Sequence, residues 1–309
     1  MNRFLGFCAV VLALASPLLA KTPVILDTDA YNEIDDPFAV AYVLRSRDVF
    51  DVRGITAAPY HGGDHAVDSP AEGVALCYKE ILNIKRIMGV VDVPAYMGAA
   101  RFMSDTKTPV RSDASAAIVA EANRCAAKGE RLTVIAIGAL TNFASALLTD
   151  SKLAEKVDLV WLGGHLDNAS EFNLNGDRYA AKVVFDSDVP FTQIPCFGVV
   201  DKHYVPCQWL IDNLKGCGAI GEHLTSLVKW ADMDRRIIWD ITAVGVFMTP
   251  DAYTFETCGR PAIYIDKDEY GPARPGTKMR RAVNIDKKPL YDDLFGRLSE
   301  VYNKKTKLF

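Results

Sequence analysis

Short runs of almost unbroken apolar residues alternate along the chain with longer segments whose apolar positions recur at helical spacing. The runs at 24–26, 52–58, 132–137 and 157–162 are short and rich in Val, Ile and Leu, which predicts buried strands. One or two further short strands are expected in 191–200, and another at 261–265. Helical spacing predicts helices over 37–46, 70–82, 112–128, 140–149, 177–186, 219–232, 242–248 and 289–304. The second of these opens on Ser69-Pro70-Ala71-Glu72, a capping box with proline at the first helical position. Regular alternation of strand and helix predicts an α/β fold with a mainly parallel open sheet flanked by helices on both faces. No internal repeat, low-complexity linker or shift in composition divides the chain, so a single domain over 21–309 is expected.

Four aspartates, Asp27, Asp29, Asp35 and Asp36, crowd the junction between the first strand and the first helix. Asp27 and Asp29 are two apart and share a side if the extended path persists. Pro37 suits the first turn of a helix capped by Asp35 or Asp36. Both acidic pairs thus fall where open α/β sheets bind ligands. Crowded carboxylates repel, and some stay protonated unless a cation sits among them. Hard oxygen ligands favour calcium or magnesium.

The 309 residues are 50% hydrophobic and 24% charged, enough for one large core. The formal charge is −4, and −5 once Arg3 leaves with a leader. No basic stripe appears, which argues against nucleic acid as a partner. Lys304, Lys305 and Lys307 read as a solvated tail. Residues 1–20 read as a signal peptide: Arg3 precedes an apolar run, Ser16 and Pro17 break it, and Ala20 is a small residue before the cut. This predicts export, to the periplasm or beyond, with no stable membrane insertion after cleavage. Cys8 sits too deep in the apolar run for a lipoprotein cysteine. The six remaining cysteines are irregularly spaced, without a C-x-x-C, which argues against zinc. Cys207 and Cys217 are the closest in sequence; a disulfide and buried free thiols are both open.

Three later segments lie just past predicted strands. Gly138 in Ala136-Ile137-Gly138-Ala139-Leu140-Thr141-Asn142 allows close backbone approach, so carbonyls there could face a cation. Gly163-Gly164-His165 is followed by Glu171-Phe172-Asn173, whose carboxylate and amide could jointly grip a polyol. Trp239-Asp240-Ile241-Thr242 places an acid at the mouth of an apolar helix, as a cap or as a metal ligand. His61 and His65 are four apart, but Gly62-Gly63 argues for a loop and against a zinc helix.

These segments, in this order, resemble the nucleoside hydrolase family (inosine-uridine-preferring ribohydrolases) over nearly the whole mature chain. The aspartate cluster is similar to the family's opening signature, Ala139-Leu140-Thr141-Asn142 to its Leu-Thr-Asn turn, and Glu171-Phe172-Asn173 to its Glu-Phe-Asn motif. Asp240 matches its late metal-binding aspartate. The resemblance implies a Rossmann-like core and calcium-dependent cleavage of the N-glycosidic bond of a ribonucleoside. It implies Ca2+ held by Asp29, Asp36, the Thr141 carbonyl and Asp240, with Asp29 also the base that activates a calcium-bound water. Asp35 and Asn173 would bind ribose hydroxyls, Glu171 the 5′-hydroxyl, and Asp27 would support the cluster from behind. A homodimer or homotetramer is also implied.

The chain departs from the family's pattern in places. Five residues, 30–34, separate the second and third aspartates where three are usual, so Asn32 or Glu33 is placed to reach the ligand. His61 stands where many members carry asparagine, and Asn168 is the candidate for another family asparagine. Trp239 replaces the histidine that in many members protonates the leaving base, and it could instead stack on a nucleobase. Two other readings compete. One is a haloacid-dehalogenase-type phosphatase with Asp27 as nucleophile; the other is an exported nucleoside- or sugar-binding protein that has lost turnover.

Overall fold

Val24 and Leu26 pack on one face of the sheet and Ile25 on the other, as the period of a strand requires when both faces are covered. This computed structural model describes residues 20–168 and 170–300. The predicted leader, apart from Ala20, and the lysine-rich tail lie outside the described residues. The first half runs β1 (Thr22–Thr28), α1 (Asp36–Arg45), β2 (Phe50–Ala57), α2 (Pro70–Ile87), β3 (Ala95–Tyr96), α3 (Asp113–Ala126), β4 (Leu132–Ala136) and α4 (Thr141–Thr149). It continues through β5 (Val157–Leu162), α5 (Phe172–Gly176), α6 (Arg178–Asp186), β6 (Phe191–Ile194), β7 (Val205–Pro206), α7 (Cys207–Leu214) and α8 (Gly218–Trp230). The last stretch holds β8 (Arg235–Arg236), α9 (Ile241–Met248), β9 (Tyr253–Cys258), β10 (Pro261–Ile263), β11 (Tyr270–Ala273), β12 (Met279–Ile285) and α10 (Lys287–Leu298).

The central sheet has eight strands in the order β3-β2-β1-β4-β5-β6-β12-β9, all parallel except the edge strand β9. From β1 the chain winds outward to β2 and β3, then returns to the other side of β1 with β4. The order therefore reverses between β1 and β4, and the crevice beyond their carboxyl ends is where such sheets bind ligands. Asp27, on the last turn of β1, lies between Thr56 of β2 and Ala136 of β4. Phe38, Tyr42 and Ile81 fill one face and Phe143, Trp161 and Phe185 the other, all without solvent exposure. Each such side chain contributes roughly 1.5–3 kcal/mol by burial.

Departures from the expected elements have local causes. Helix α2 runs five residues past 82 to Ile87, because Ile81 and Ile84 keep its apolar face buried. Ser69 accepts from the Glu72 amide at 3.3 Å, as the capping motif predicts. The expected strand at 261–265 forms only a hairpin of β10 with β11, outside the main sheet. The sheet is completed instead by β12 and β9, whose exposed charges (Arg280, Glu256) hid them as strands. All six described cysteines are free, so Cys207 and Cys217 do not pair.

Candidate active site

The loop after β1 turns tightly, with the Asn32 amide donating to the Asp29 carbonyl at 2.7 Å. Pro37 then starts α1 one residue in. Asp35 is the cap residue of α1, yet its side chain makes no capping bond. It accepts instead from the Trp239 amide at 3.0 Å, which ties the mouth of α1 to the mouth of α9. Asp240 likewise caps α9 without a side-chain bond to it. Both carboxylates are thereby free to turn inward. Carboxylate oxygens of Asp35, Asp36 and Asp240 lie within 4.8 Å of one another, all buried. The Thr28 hydroxyl donates to Asp36 at 2.6 Å.

Asp29 stands in the same pocket, its Oδ2 accepting from Asn32 Nδ2 at 3.1 Å. A Cβ at Gly138 would come within 2.6 Å of Asp29 Oδ1, so any larger residue there would push the carboxylate aside. Burial pushes the Asp29 carboxyl up to about 7, and the charges of Asp35 and Asp27 push the same way. Burial, aided by neighbouring carboxylates, drives Asp36 and Asp240 well above the usual carboxylate range. Asp35 is raised by burial, against the opposing pull of Arg236. Its Oδ1 is buried without a hydrogen-bond partner. Such a set is costly as bare anions and suits a hard divalent cation, which would supply the missing positive charge and ligand contacts.

The opposite side of the crevice comes from the ends of β4 and β5. Asn173 Nδ2 donates to the carbonyls of Ile137 and Leu162, each at 3.1 Å, stapling the two strand ends together. Glu171 caps α5: its oxygens accept from the amides of Gly164 at 2.7 Å, Asn173 at 3.0 Å and Leu174 at 3.0 Å. These bonds fix the carboxylate in place, while burial raises its pKa. The pocket that all these groups line has a volume of about 260 Å³, the size for a small solute.

The expected site residues divide by where the fold puts them. Asp29, Asp35, Asp36, Glu171, Asn173, Trp239 and Asp240 line one pocket, and so do Asn32 and Glu33 from the lengthened loop. Asp27 lies behind it, fully buried, its Oδ1 accepting from Thr56 at 2.6 Å and Asn142 at 2.8 Å. A carboxylate so enclosed has no route to a phosphoryl group, which removes the phosphatase reading. Thr141 sits beneath the pocket, its hydroxyl donating to Asp177 at 2.7 Å, and Ile137 is the residue of that turn that reaches the lining. His61 is exposed and Asn168 accepts from the Ser170 amide at 2.8 Å; neither lines the pocket. His65 stacks on Trp230 at 3.8 Å. Among the described residues, the one group placed to hold a metal is the aspartate trio.

Several lining residues had no signal in the sequence. Cys196, Phe197, Tyr204, Met233 and Arg236 are brought in by loops and by the short strand β8. Arg236 is buried, and its Nη2 meets Glu33 at 2.5 Å and Asp64 at 2.8 Å. Arg236 follows Asp234 and Arg235 and borders the apolar run Ile237-Ile238-Trp239, so in the sequence it reads as one more charge at the edge of that run.

The family model described as inosine-uridine preferring nucleoside hydrolase matches residues 24–291. A probable uridine nucleosidase 2 of Arabidopsis thaliana is 29% identical over 196 residues, covering 53% of this chain and 56% of that protein. The chain thus spans about half the length of the curated relatives it matches. A plant nucleoside hydrolase superposes with a TM-score of 0.71 at 21% identity, over 91% of this chain and 99% of that one. A purine-preferring ribonucleoside hydrolase from Gardnerella vaginalis gives 0.72 at 19% identity, over 92% and 100%. At these identities the two structures speak for the fold.

Proposed function

The chain belongs to the inosine-uridine preferring nucleoside hydrolase family, and from that we propose that it cleaves the N-glycosidic bond of ribonucleosides, releasing ribose and the free base. The observation that carries this reading is the convergence of Asp29 with Asp35, Asp36 and Asp240 in one small pocket at the sheet's switch point. Asp36 and Asp240 of the clustered trio, with Asp29 from the same pocket, would hold a calcium ion, and Asp35, the third member of the trio, is near enough to join them. When bound, the cation supplies the charge that orients the ribose diol and acidifies the attacking water.

Asp29 takes the proton from that water. Its Oδ2 is engaged by Asn32, so Oδ1, kept clear by Gly138, is the receiving atom. Burial raises this carboxyl to about 7 in the cation-free pocket; a bound cation would lower it again and leave the carboxylate charged to accept the proton. As the bond to the base breaks, positive charge grows on the ribose, and the surrounding carboxylates are already placed to stabilise it. Asp35 and Asn173 bind ribose hydroxyls; the Asn173 amide nitrogen is already committed to two carbonyls, so its oxygen is the atom left to accept. Glu171, locked by three main-chain donors, receives the 5′-hydroxyl. We also propose that the protein works after export, with residues 1–20 removed. Sequencing the mature N-terminus tests this, and retention of the leader would contradict it.

A reducing-sugar assay across purine, pyrimidine and nicotinamide ribosides tests the activity. Ribose release from at least one class, lost on chelation, is the expected result. Calorimetric binding of nucleosides with no ribose released would instead support a binding protein.

A further inference from the structure

The pocket has two walls of different chemistry. One is acidic and amide-lined, and the proposed reaction uses Asp29, Asp35, Asp36, Asp240, Glu171 and Asn173 there for ribose, cation and water. The other is aromatic and apolar, formed by Phe197, Tyr204, Met233, Ile237 and Trp239, with one cation set into it, Arg236. Flat apolar surface suits a nucleobase. The cation has no task in gripping ribose, since positive charge on that side opposes the charge growing at C1′.

Arg236 is a built feature rather than a stray surface charge. It is 8% exposed. Its Nη2 is clamped by Glu33 at 2.5 Å and Asp64 at 2.8 Å, while Nη1 meets only the Met233 sulfur, at 3.4 Å. Its Nε is buried with no hydrogen-bond partner, and a buried donor left without an acceptor is costly. Glu33 belongs to the lengthened loop 30–34, and Trp239, standing where a histidine was expected, lies three residues past Arg236. One departure thus contacts this guanidinium, and the other lines the same pocket. Among the described residues, no histidine lines the pocket to protonate a departing base.

We propose that Arg236, held by Glu33 and Asp64 through Nη2, is the leaving-group residue: its Nη1 N–H groups bond the acceptor beside the glycosidic nitrogen and stabilise the base as it departs as an anion. The inference rests on the hydrolytic reading above. The C1′–N bond breaks with its electron pair going to the base nitrogen. The water oxygen bonds C1′ and its proton passes to Asp29, then to solvent. The base anion takes its proton from water after leaving. A guanidinium serves because it stays charged at any working pH and presents several donors in one plane. Glu33 and Asp64 are positioning residues, fixing which edge of Arg236 is free.

The test compares kcat/KM for uridine with that for p-nitrophenyl β-D-ribofuranoside, whose leaving group departs as an anion unaided. The calcium-loaded protein is used throughout. Arg236→Met should lose about 100-fold on uridine and less than about fivefold on the nitrophenyl riboside. Arg236→Lys, which keeps the charge but not the plane, should lose about tenfold on uridine alone. Equal losses on both substrates, or no loss on uridine, overturn the proposal. Should Arg236→Met fail to fold, the same ratio in Arg236→Lys decides: selective loss supports it, uniform loss overturns it. A wild-type protein that cleaves neither substrate overturns the hydrolytic reading itself, and this proposal with it.

Discussion

On the floor of the pocket, Asp29, Asp36 and Asp240 hang from the ends of β1, α1 and α9 with no more than 4% of their surface exposed, whereas at the rim Phe197, Tyr204 and Met233 are 40–46% exposed. The floor is held by short bonds between regular elements, such as Thr28 to Asp36 and Trp239 to Asp35. The rim is carried by loops and two-residue strands. A rigid floor suits a step that needs fixed charges around a changing one. A looser rim suits the part of the substrate that varies and must leave. The floor also works against stability: each buried carboxyl with a raised pKa penalises the charged folded form, a cost that the proposed chemistry would explain.

The sharpest way to break this contrast is at Asp29. Asp29→Asn keeps the shape and removes the base, so ribose release should fall by at least about a thousandfold with an unchanged circular-dichroism spectrum. Turnover close to wild type would contradict the assignment. Next is Asp240→Asn, which removes a ligand and a repelling charge together. Added calcium should then no longer raise the melting temperature, where the wild type should gain about 2.7 kcal/mol at a hundredfold excess over Kd. The cation-free variant should melt no lower than the cation-free parent. A large loss of stability without cation would show that Asp240 is structural.

The floor should also show in pH dependence. A carboxyl whose pKa is raised on folding binds more protons in the native state. Without cation, stability should therefore fall as pH rises from about 4, the unfolded value, through about 7, the folded value of Asp29. A bound cation displaces those protons and removes the penalty, so the calcium-induced rise in melting temperature should be larger at pH 8 than at pH 5. A rise that shrinks with pH would contradict the cluster as the binding site.

Rim changes should cost less. Trp239→Ala should raise KM for nucleosides by roughly 3- to 12-fold with little change in kcat, the worth of one stacked ring. His61→Ala, exposed and away from the pocket, should stay within about twofold on both constants. A tenfold effect there would mean that the loop carrying His61 closes over the substrate.

The same division governed how much was legible in the chain. The inner strands β1, β4 and β5 were readable because both their faces are buried and their residues are almost uniformly apolar, as in Val24-Ile25-Leu26. The aspartates could be placed because a strand end followed by proline marks the junction where such sheets bind ligands. β12 and β9 were not readable, since only four of their thirteen residues are buried. Arg236, Phe197 and Tyr204 are distant in sequence and meet only through the fold. Thr141 shows a finer limit. Its turn was found, but which residue of the turn reaches the pocket depends on a rotation no spacing rule supplies; Ile137 does, and Thr141 bonds Asp177 beneath.

The central claim is that water attacks the ribose carbon at this acidic floor. Hydrolysis of uridine by the calcium-loaded protein in 18O-labelled water, with both products analysed by mass spectrometry, addresses it directly. The account predicts one labelled oxygen on ribose, none on uracil, and no product after chelation or in Asp29→Asn. Label on the base, or ribose release undiminished by either treatment, would contradict it.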